Sequence, residues 1–389
     1  MTSHPQNTVY LDHAATSPVA AEALEAMLPY LRGEFANPSS VHAPGVRARR
    51  AVDEARDRLR EALSTSPTPA RPVEVTFTSG GTEANNLAVF GFVRARATDR
   101  VVTTAVEHPC VRHSAAAVAD ERKIPHVEVP TDAHGVLELE RLADALSEKT
   151  TFVALIHGQN ETGVLQPIAR AAALIRARAP RAHLHVDAVQ SFTKVPLEEV
   201  TATADSVALS AHKIGGPKGA GALVRFTGRS PVPLMRGGGQ ECDVRSGTEN
   251  VAGIVGFGKS AEAARRHDGA SLDRLADRVR RVFEELGDAV VLGADAPRLP
   301  SIVTATIGGV RGEVVQHHLE EFGVVIGTGS ACHANKSSLS PTYTSLGLSE
   351  AEARSVVRVS LSHATTDADI DRFAESLPLA VRRVRELVG

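Results

Sequence analysis

Several short segments of the chain set chemically able side chains at the edge of an apolar run. In "LSAHKIGGPKGAGALV", residues 209–224, Ser210, His212 and Lys213 close such a run just ahead of a cluster of glycines. Strand periodicity puts Ser210 and His212 on one face and Lys213 at the exit. A desolvated amine there can lose its proton and act as a nucleophile or base, as a Schiff-base lysine does. The alternative is a solvated surface charge. "HLHVDAVQ" ends a second run with Asp187, followed three residues later by Gln190. A buried carboxylate needs a partner, and a protonated ring nitrogen, an arginine or the N–H groups of the next turn would each serve. "SVVRVSLSH" carries Arg358 inside an apolar strand, where a guanidinium calls for an anion: either a bidentate substrate carboxylate or an internal salt bridge.

Three further segments have the same double character. "TSGGTEANN" follows a strand and opens a helix, so its backbone N–H groups and the helix dipole could hold a phosphate. It matches neither the G-x-G-x-x-G nor the P-loop spacing, and Ser79 or Thr82 could instead cap the helix. "EHPCVRHS" places His108 before Pro109, a good first helical residue; the ring could stack on a flat cofactor, move protons, or simply cap. "IGTGSACHANKSSLSP" puts Cys332 behind a Gly/Ser run and ahead of a polar loop, unlike most unreactive cysteines, which are buried. It reads as a thiol placed to reach something, or as an incidental exposed cysteine. Nothing marks Cys110 or Cys242 as a nucleophile.

The elements that must carry these groups follow from the alternation between residues 73 and about 226. Short β-rich runs ("VEVTFTSG", "RVVTTAVEH", "TFVALIHG", "HLHVDAVQ", "SVALSAHK", "GALVRF") alternate with helical patterns, which predicts a mainly parallel sheet with helices on its faces. Such sheets bind ligands beyond the carboxyl ends of their strands. A helical stretch from about 249 to 287, broken near "HDGAS", leads to strands at "AVVLG", "SIVTATIGG" and "SVVRVSLS" and helices at 312–321 and 367–387, a smaller α+β unit. "STSPTPARP" (64–72) reads as a surface loop.

With 389 residues, of which 42% are hydrophobic, the chain can bury more than one core. Forty-three basic against 46 acidic residues give no electrostatic footprint for nucleic acid or an anionic membrane. No secretory signal or membrane-spanning run is visible, and three scattered cysteines are not a disulfide framework. The expectation is a cytoplasmic protein of small-molecule chemistry, with no metal site.

Taken together the segments resemble the cysteine desulfurases, pyridoxal-phosphate (PLP) enzymes of the class V aminotransferase group within fold type I. "YLDHAATSP", "NPSSVH", "TSGGTEANN", "EHPCV", "NETGVLQPI", "HVDAVQ", "SAHKIGGPKGAGAL", "RSGTEN", "GSAC" and "VRVSL" carry the likeness in family order over nearly the whole chain. The resemblance implies an α/β fold: a large domain at 15–258 with a mainly parallel seven-stranded sheet, and a small α+β domain made of 1–14 and 259–389 with a cysteine loop at about 327–342. It implies that Lys213 binds PLP covalently and that Asp187 keeps the pyridine nitrogen protonated. Gln190 would contact the ring hydroxyl, and His108 would stack on the ring as acid/base. Gly81, Thr82, Ser210 and His212 would hold the phosphate, with Thr248 reaching the neighbouring subunit's cofactor in a homodimer with shared sites. Asn160 and Arg358 would bind the substrate carboxylate.

The implied reaction converts L-cysteine to L-alanine and leaves a persulfide on Cys332, destined for a sulfur-acceptor protein in iron–sulfur cluster assembly, tRNA or DNA thiolation, or thio-metabolite synthesis. The alternatives are selenocysteine lyase or other class V lyase or aminotransferase chemistry, and a non-catalytic sulfur-carrier scaffold. The departures are Gly215 where the motif has an aromatic residue, Ser362, and a cysteine loop with His333, Asn335 and Lys336 close to Cys332.

Overall fold

The computed structural model describes residues 8–63, 71–266, 269–329 and 339–388. The chain opens with β1 (Val9–Leu11), α1 (Ala21–Arg32) and α2 (Ala43–Leu63). The α/β body follows as β2 (Glu74–Thr78), α3 (Gly81–Arg94), β3 (Val101–Thr104), α4 (Pro109–Arg122), β4 (His126–Val129), α5 (Leu139–Ala145), β5 (Phe152–Ile156), α6 (Ile168–Arg178), β6 (His183–Asp187), α7 (Glu198–Thr203), β7 (Ser206–Ser210) and β8 (Gly221–Arg225). Then come α8 (Val251–Ala264), α9 (Gly269–Glu284), β9 (Ala289–Val291), β10 (Ile302–Ile307), α10 (Gly312–Glu321), β11 (Val324–Ile326), α11 (Pro341–Ser345), α12 (Glu350–Arg354), β12 (Val356–Ser360) and α13 (Asp367–Val388).

Seven strands form the large sheet in the order β2-β8-β7-β6-β5-β3-β4, parallel except for β8, which runs antiparallel to both neighbours. Strands β5 to β8 are buried along their whole length, which is why they read as continuous apolar runs rather than alternating ones. Both faces are covered: along β5, Phe152 and Ala154 join the core under α3 and α4, while Val153 and Leu155 join the core on the opposite face. The pairing aligns Ile156 of β5 with Asp187 of β6, and Asp187 with Ala208 of β7, so the polar groups that end these strands lie side by side.

The smaller unit packs α9, α10 and α13 against the antiparallel sheet β12-β10-β9 and the parallel pair β1-β11. Leu272, Leu275, Ala276, Val279, Val282 and Phe283 form one buried stripe of α9 at helical spacing. β1 pairs with β11 in this unit, and Ile254, Phe257 and Ala261 of α8 sit in the large core. No helix among the described residues is long and apolar enough to cross a membrane.

One turn that shapes the rim of the large domain is held under strain. Glu241, Cys242 and Asp243 have φ of 50°, 55° and 62°, a left-handed conformation that disfavours side chains. It is held because the Glu241 carboxylate accepts two hydrogen bonds from Arg56 of α2, both at 3.0 Å, and one from the Phe77 N–H of β2 at 2.8 Å. Arg56→Met would leave a buried carboxylate without its cation, a loss of about 3–5 kcal/mol. The urea midpoint of Arg56→Met is therefore expected well below that of Arg47→Met, whose ion pair with Glu34 is exposed; equal midpoints would refute this account of the turn.

Candidate active site

A cavity of about 660 Å³ opens at the carboxyl ends of β5, β6 and β7. Ser210, His212 and Lys213 reach it from the end of β7 and the 3₁₀ turn that follows, Asp187 and Gln190 from the end of β6, and His108 from the N-cap of α4. Gly81 and Thr82 enter from the first turn of α3, Asn160 from the loop after β5, and Arg358 from β12 of the small domain. Ten side chains or backbones singled out from separate stretches of sequence thus share one cavity.

Lys213 Nζ donates to the carbonyls of Ala14 and Ala15, at 2.5 and 2.8 Å. Both belong to the turn after β1, so the amine lies where the two domains meet. Asp187 is 4% exposed. Its Oδ1 accepts from the Val189 N–H at 3.0 Å and its Oδ2 from Asn85 Nδ2 at 2.7 Å. The turn-capping reading is thus met, by a residue that still lines the cavity. Burial lifts the Asp187 pKa and holds that of His108 below the ordinary imidazole value, while their opposite charges partly offset both effects. His108 Nδ1 accepts from the Cys110 N–H at 3.2 Å, leaving Nε2 to carry the proton of the neutral ring. Burial and the lysines around it push His212 down to about 4, so that ring is neutral too, with Nδ1 at 3.1 Å from Thr16 Oγ1.

The start of α3 forms a cradle. The N-cap is Gly80 and, among the described residues, no side chain, Ser79 and Thr82 included, satisfies the first N–H groups of a turn that lines the cavity. Ser210 Oγ is buried without a hydrogen-bond partner among the described residues. A Cβ at Gly81 would stand 2.7 Å from Val189 Cγ2, so a larger residue would push the turn away from the strand ends. Free amides at a helix N-terminus and an unsatisfied hydroxyl suit an anion. On the opposite side Arg358, 3% exposed, donates from Nη2 to Asp12 Oδ1 at 2.7 Å and from Nη1 to the Asn160 carbonyl at 2.9 Å, while its Nε has no partner among the described residues. The internal salt bridge and the cavity-facing role coexist.

The chain matches the aminotransferase class-V family over residues 9–373. It is 38% identical to a cysteine desulfurase of Sinorhizobium fredii over 383 residues, covering 97% of both chains. Among solved structures it superposes on a NifS-like protein with a TM-score of 0.87 and 28% identity, over 97% of this chain and 100% of that one. It superposes on SspA in complex with cysteine with a TM-score of 0.78 and 31% identity, over 92% and 100%. The chain belongs to the class-V aminotransferase family, among its cysteine desulfurases. Its architecture is the expected fold type I arrangement.

As a desulfurase it shows where its departures lie. Gly215, in place of the motif's aromatic residue, has a φ of 78°, a region glycine enters without penalty. Ser362 Oγ lies 3.2 Å from His13 Nε2, near the turn that presents Ala14. Thr248 does not line the cavity of its own chain and is exposed. Cys332, His333, Asn335 and Lys336 lie outside the described residues, though Gly329 just before them lines the cavity.

Sequence reasoning missed three groups. Asn85 sits on the buried face of α3, a polar residue three positions after Thr82, which was a readable signal. Asp12 was unremarkable in "YLDHAA". Lys194, four residues after Gln190, is 8% exposed and donates to Gln190 Oε1 at 3.2 Å. Burial, then the charges of Lys213 and Arg358, push it down to about 7. Cys110 sits in the cavity with its thiol pushed up to about 12 by burial and the Asp187 charge. At pH 8 it should resist iodoacetamide while the exposed Cys242 reacts; peptide mapping that finds Cys110 alkylated as fast as Cys242 would contradict that burial.

Proposed function

We propose that this desulfurase takes sulfur from L-cysteine, releases L-alanine, and holds the sulfur on Cys332 for an acceptor protein, with PLP as its cofactor. The observation that carries the reading is the pairing, in one cavity, of Lys213 with a buried Asp187 and an uncapped helix start. That set fits PLP: an amine for the aldehyde, a carboxylate for the ring nitrogen, and an anion cradle containing the unsatisfied Ser210 Oγ for the phosphate. When bound, PLP supplies an electron sink that stabilises negative charge at the substrate Cα.

The chain's residues divide the remaining work. Gly81, Thr82, Ser210 and His212 would hold the phosphate, and His108 would cover the ring face. Gln190 has its amide oriented, with Oε1 toward Lys194 and Nε2 donating to the Ala14 carbonyl at 2.9 Å, and would meet the ring hydroxyl. Arg358, through its unpaired Nε, and Asn160 would hold the substrate carboxylate. With PLP bound, Lys213 Nζ would be the base that takes the substrate Cα proton. The Cys332 thiolate would attack the substrate sulfur, forming the S–S bond of the persulfide as the bond from that sulfur to Cβ breaks; the electron pair stays with carbon, and one proton to Cβ and one returned to Cα complete alanine. His108, whose Nε2 carries the proton of the neutral ring, lines the cavity and would serve that proton traffic.

A homodimer follows from Thr248, which is exposed away from its own cavity, and from exposed Leu31, Phe35, Val41 and Val46 around α1 and α2. Size-exclusion mass measurement should find two chains. Alanine and sulfide formation from L-cysteine should fall by about 10²–10⁴-fold or more in Lys213→Ala, with loss of visible cofactor absorbance. Cys332→Ser should lose turnover yet keep that absorbance. Full activity in Cys332→Ser would turn the reading toward a lyase or transaminase that needs no acceptor thiol.

A further inference from the structure

From Asp187 a row of buried polar side chains runs into the large domain, of which only Asn85, among the described residues, lines the cavity. Asn85 Nδ2 donates to Asp187 Oδ2 at 2.7 Å, and Asn85 Oδ1 lies 2.9 Å from His185 Nε2. His185 Nδ1 lies 2.9 Å from Ser206 Oγ, which in turn lies 2.8 Å from His183 Nε2. All four residues are at most 3% exposed.

The polarity of this row is fixed by chemistry. A carboxylate only accepts, so Asn85 turns its NH₂ to Asp187 and its carbonyl oxygen to His185. His185 must then donate from Nε2. In a neutral ring Nδ1 is left as acceptor, and it takes the Ser206 hydroxyl proton. Ser206 Oγ in turn accepts from His183 Nε2–H, and His183 Nδ1, which needs no proton, has no partner among the described residues. Both rings are neutral: burial pushes His185 down to about 3 and His183 well below the ordinary value. Aromatic rings wall them in, with Phe92 stacked on His183 at 3.6 Å between centroids and Phe152 at 6.4 Å from His185. One N–H or O–H of each residue in the row therefore points the same way, toward Asp187, while the second N–H of Asn85 donates to Cys110 Sγ at 3.3 Å, and aligned donors strengthen one another.

That direction matters because the other influences on Asp187 conflict. Burial disfavours its charge, while His108, the Val189 N–H, Asn85 and Lys213 favour it. We propose that Asn85 and His185 are positioning residues for the desulfurase reaction, holding Asp187 as an oriented carboxylate beneath the cofactor ring nitrogen. The inference rests on the PLP reading above and deepens it.

The test titrates apo-protein with PLP and records the dissociation constant, the pH profile of the visible absorbance, and the apo-protein melting temperature. His185→Leu, which takes the donor from the Asn85 amide oxygen, is expected to weaken PLP binding about 3- to 10-fold, the effect of losing one neutral hydrogen bond, and to shift the absorbance profile. His185→Gln, whose amide N–H can stand where Nε2–H stood, should recover most of the affinity and the profile. Ser206→Ala removes one hydroxyl and should move both readouts the same way by less; it decides the matter if His185→Leu does not fold. Wild-type affinity and profile in a folded His185→Leu, or in Ser206→Ala, would overturn the proposal. So would His185→Gln impaired as fully as His185→Leu at an unchanged melting temperature. Wild-type protein that gains no visible absorbance with PLP would instead overturn the cofactor reading, and this proposal with it.

Discussion

A carboxylate held in a dry interior beside an amine is the interaction on which this molecule is organised. Asp187 can stay there only because the parallel pairing of β5, β6 and β7 leaves three strand ends adjacent, and because the turn after it and α3 behind it both offer donors. Water would make that anion easy to keep and useless as an electrostatic anchor; the interior makes it costly and directional. The same exclusion of water acts on His108, His212 and Lys194, each moved toward its neutral form by burial. The cavity is therefore a place where charge is rationed, with cationic groups concentrated near Lys213 and Arg358.

The second constraint is that the site is divided between two cores. Arg358 is part of a small-domain strand, yet its guanidinium spans Asp12 after β1 and the Asn160 carbonyl of the large domain. The carbonyls that receive the Lys213 amine come from that same turn after β1. A shift of one domain against the other would move the anchor proposed for the substrate carboxylate and the resting place of the amine together. Binding at one is thereby mechanically tied to the geometry of the other.

Much of this was legible in the chain because the chemistry sits at strand ends, where a polar residue interrupts an apolar run: Asp187, Ser210 and Lys213 announce themselves by position. The large sheet was legible for the related reason that strands buried on both faces have no alternation to confuse. What could not be read were partners far apart in sequence. Asn85 and His185 meet from α3 and β6, and nothing local says that an asparagine in "TEANN" completes a histidine in "HLHVD". Lys194 looks like any surface lysine in the sequence, yet it is 8% exposed and donates to Gln190. α8 is buried at most of its positions, so its sequence does not say which core it serves.

The pairing of β1 with β11 has a temporal side. Val9 aligns with Val324, so the first strand made finds its neighbour only when most of the polypeptide has emerged from the ribosome. The large sheet, whose contacts are nearer in sequence, can condense first, leaving the newborn N-terminal segment to wait. Ala14, whose carbonyl steadies Lys213, also donates its N–H to Ser360 Oγ of β12 at 2.9 Å, so that contact closes only once β12 has been made.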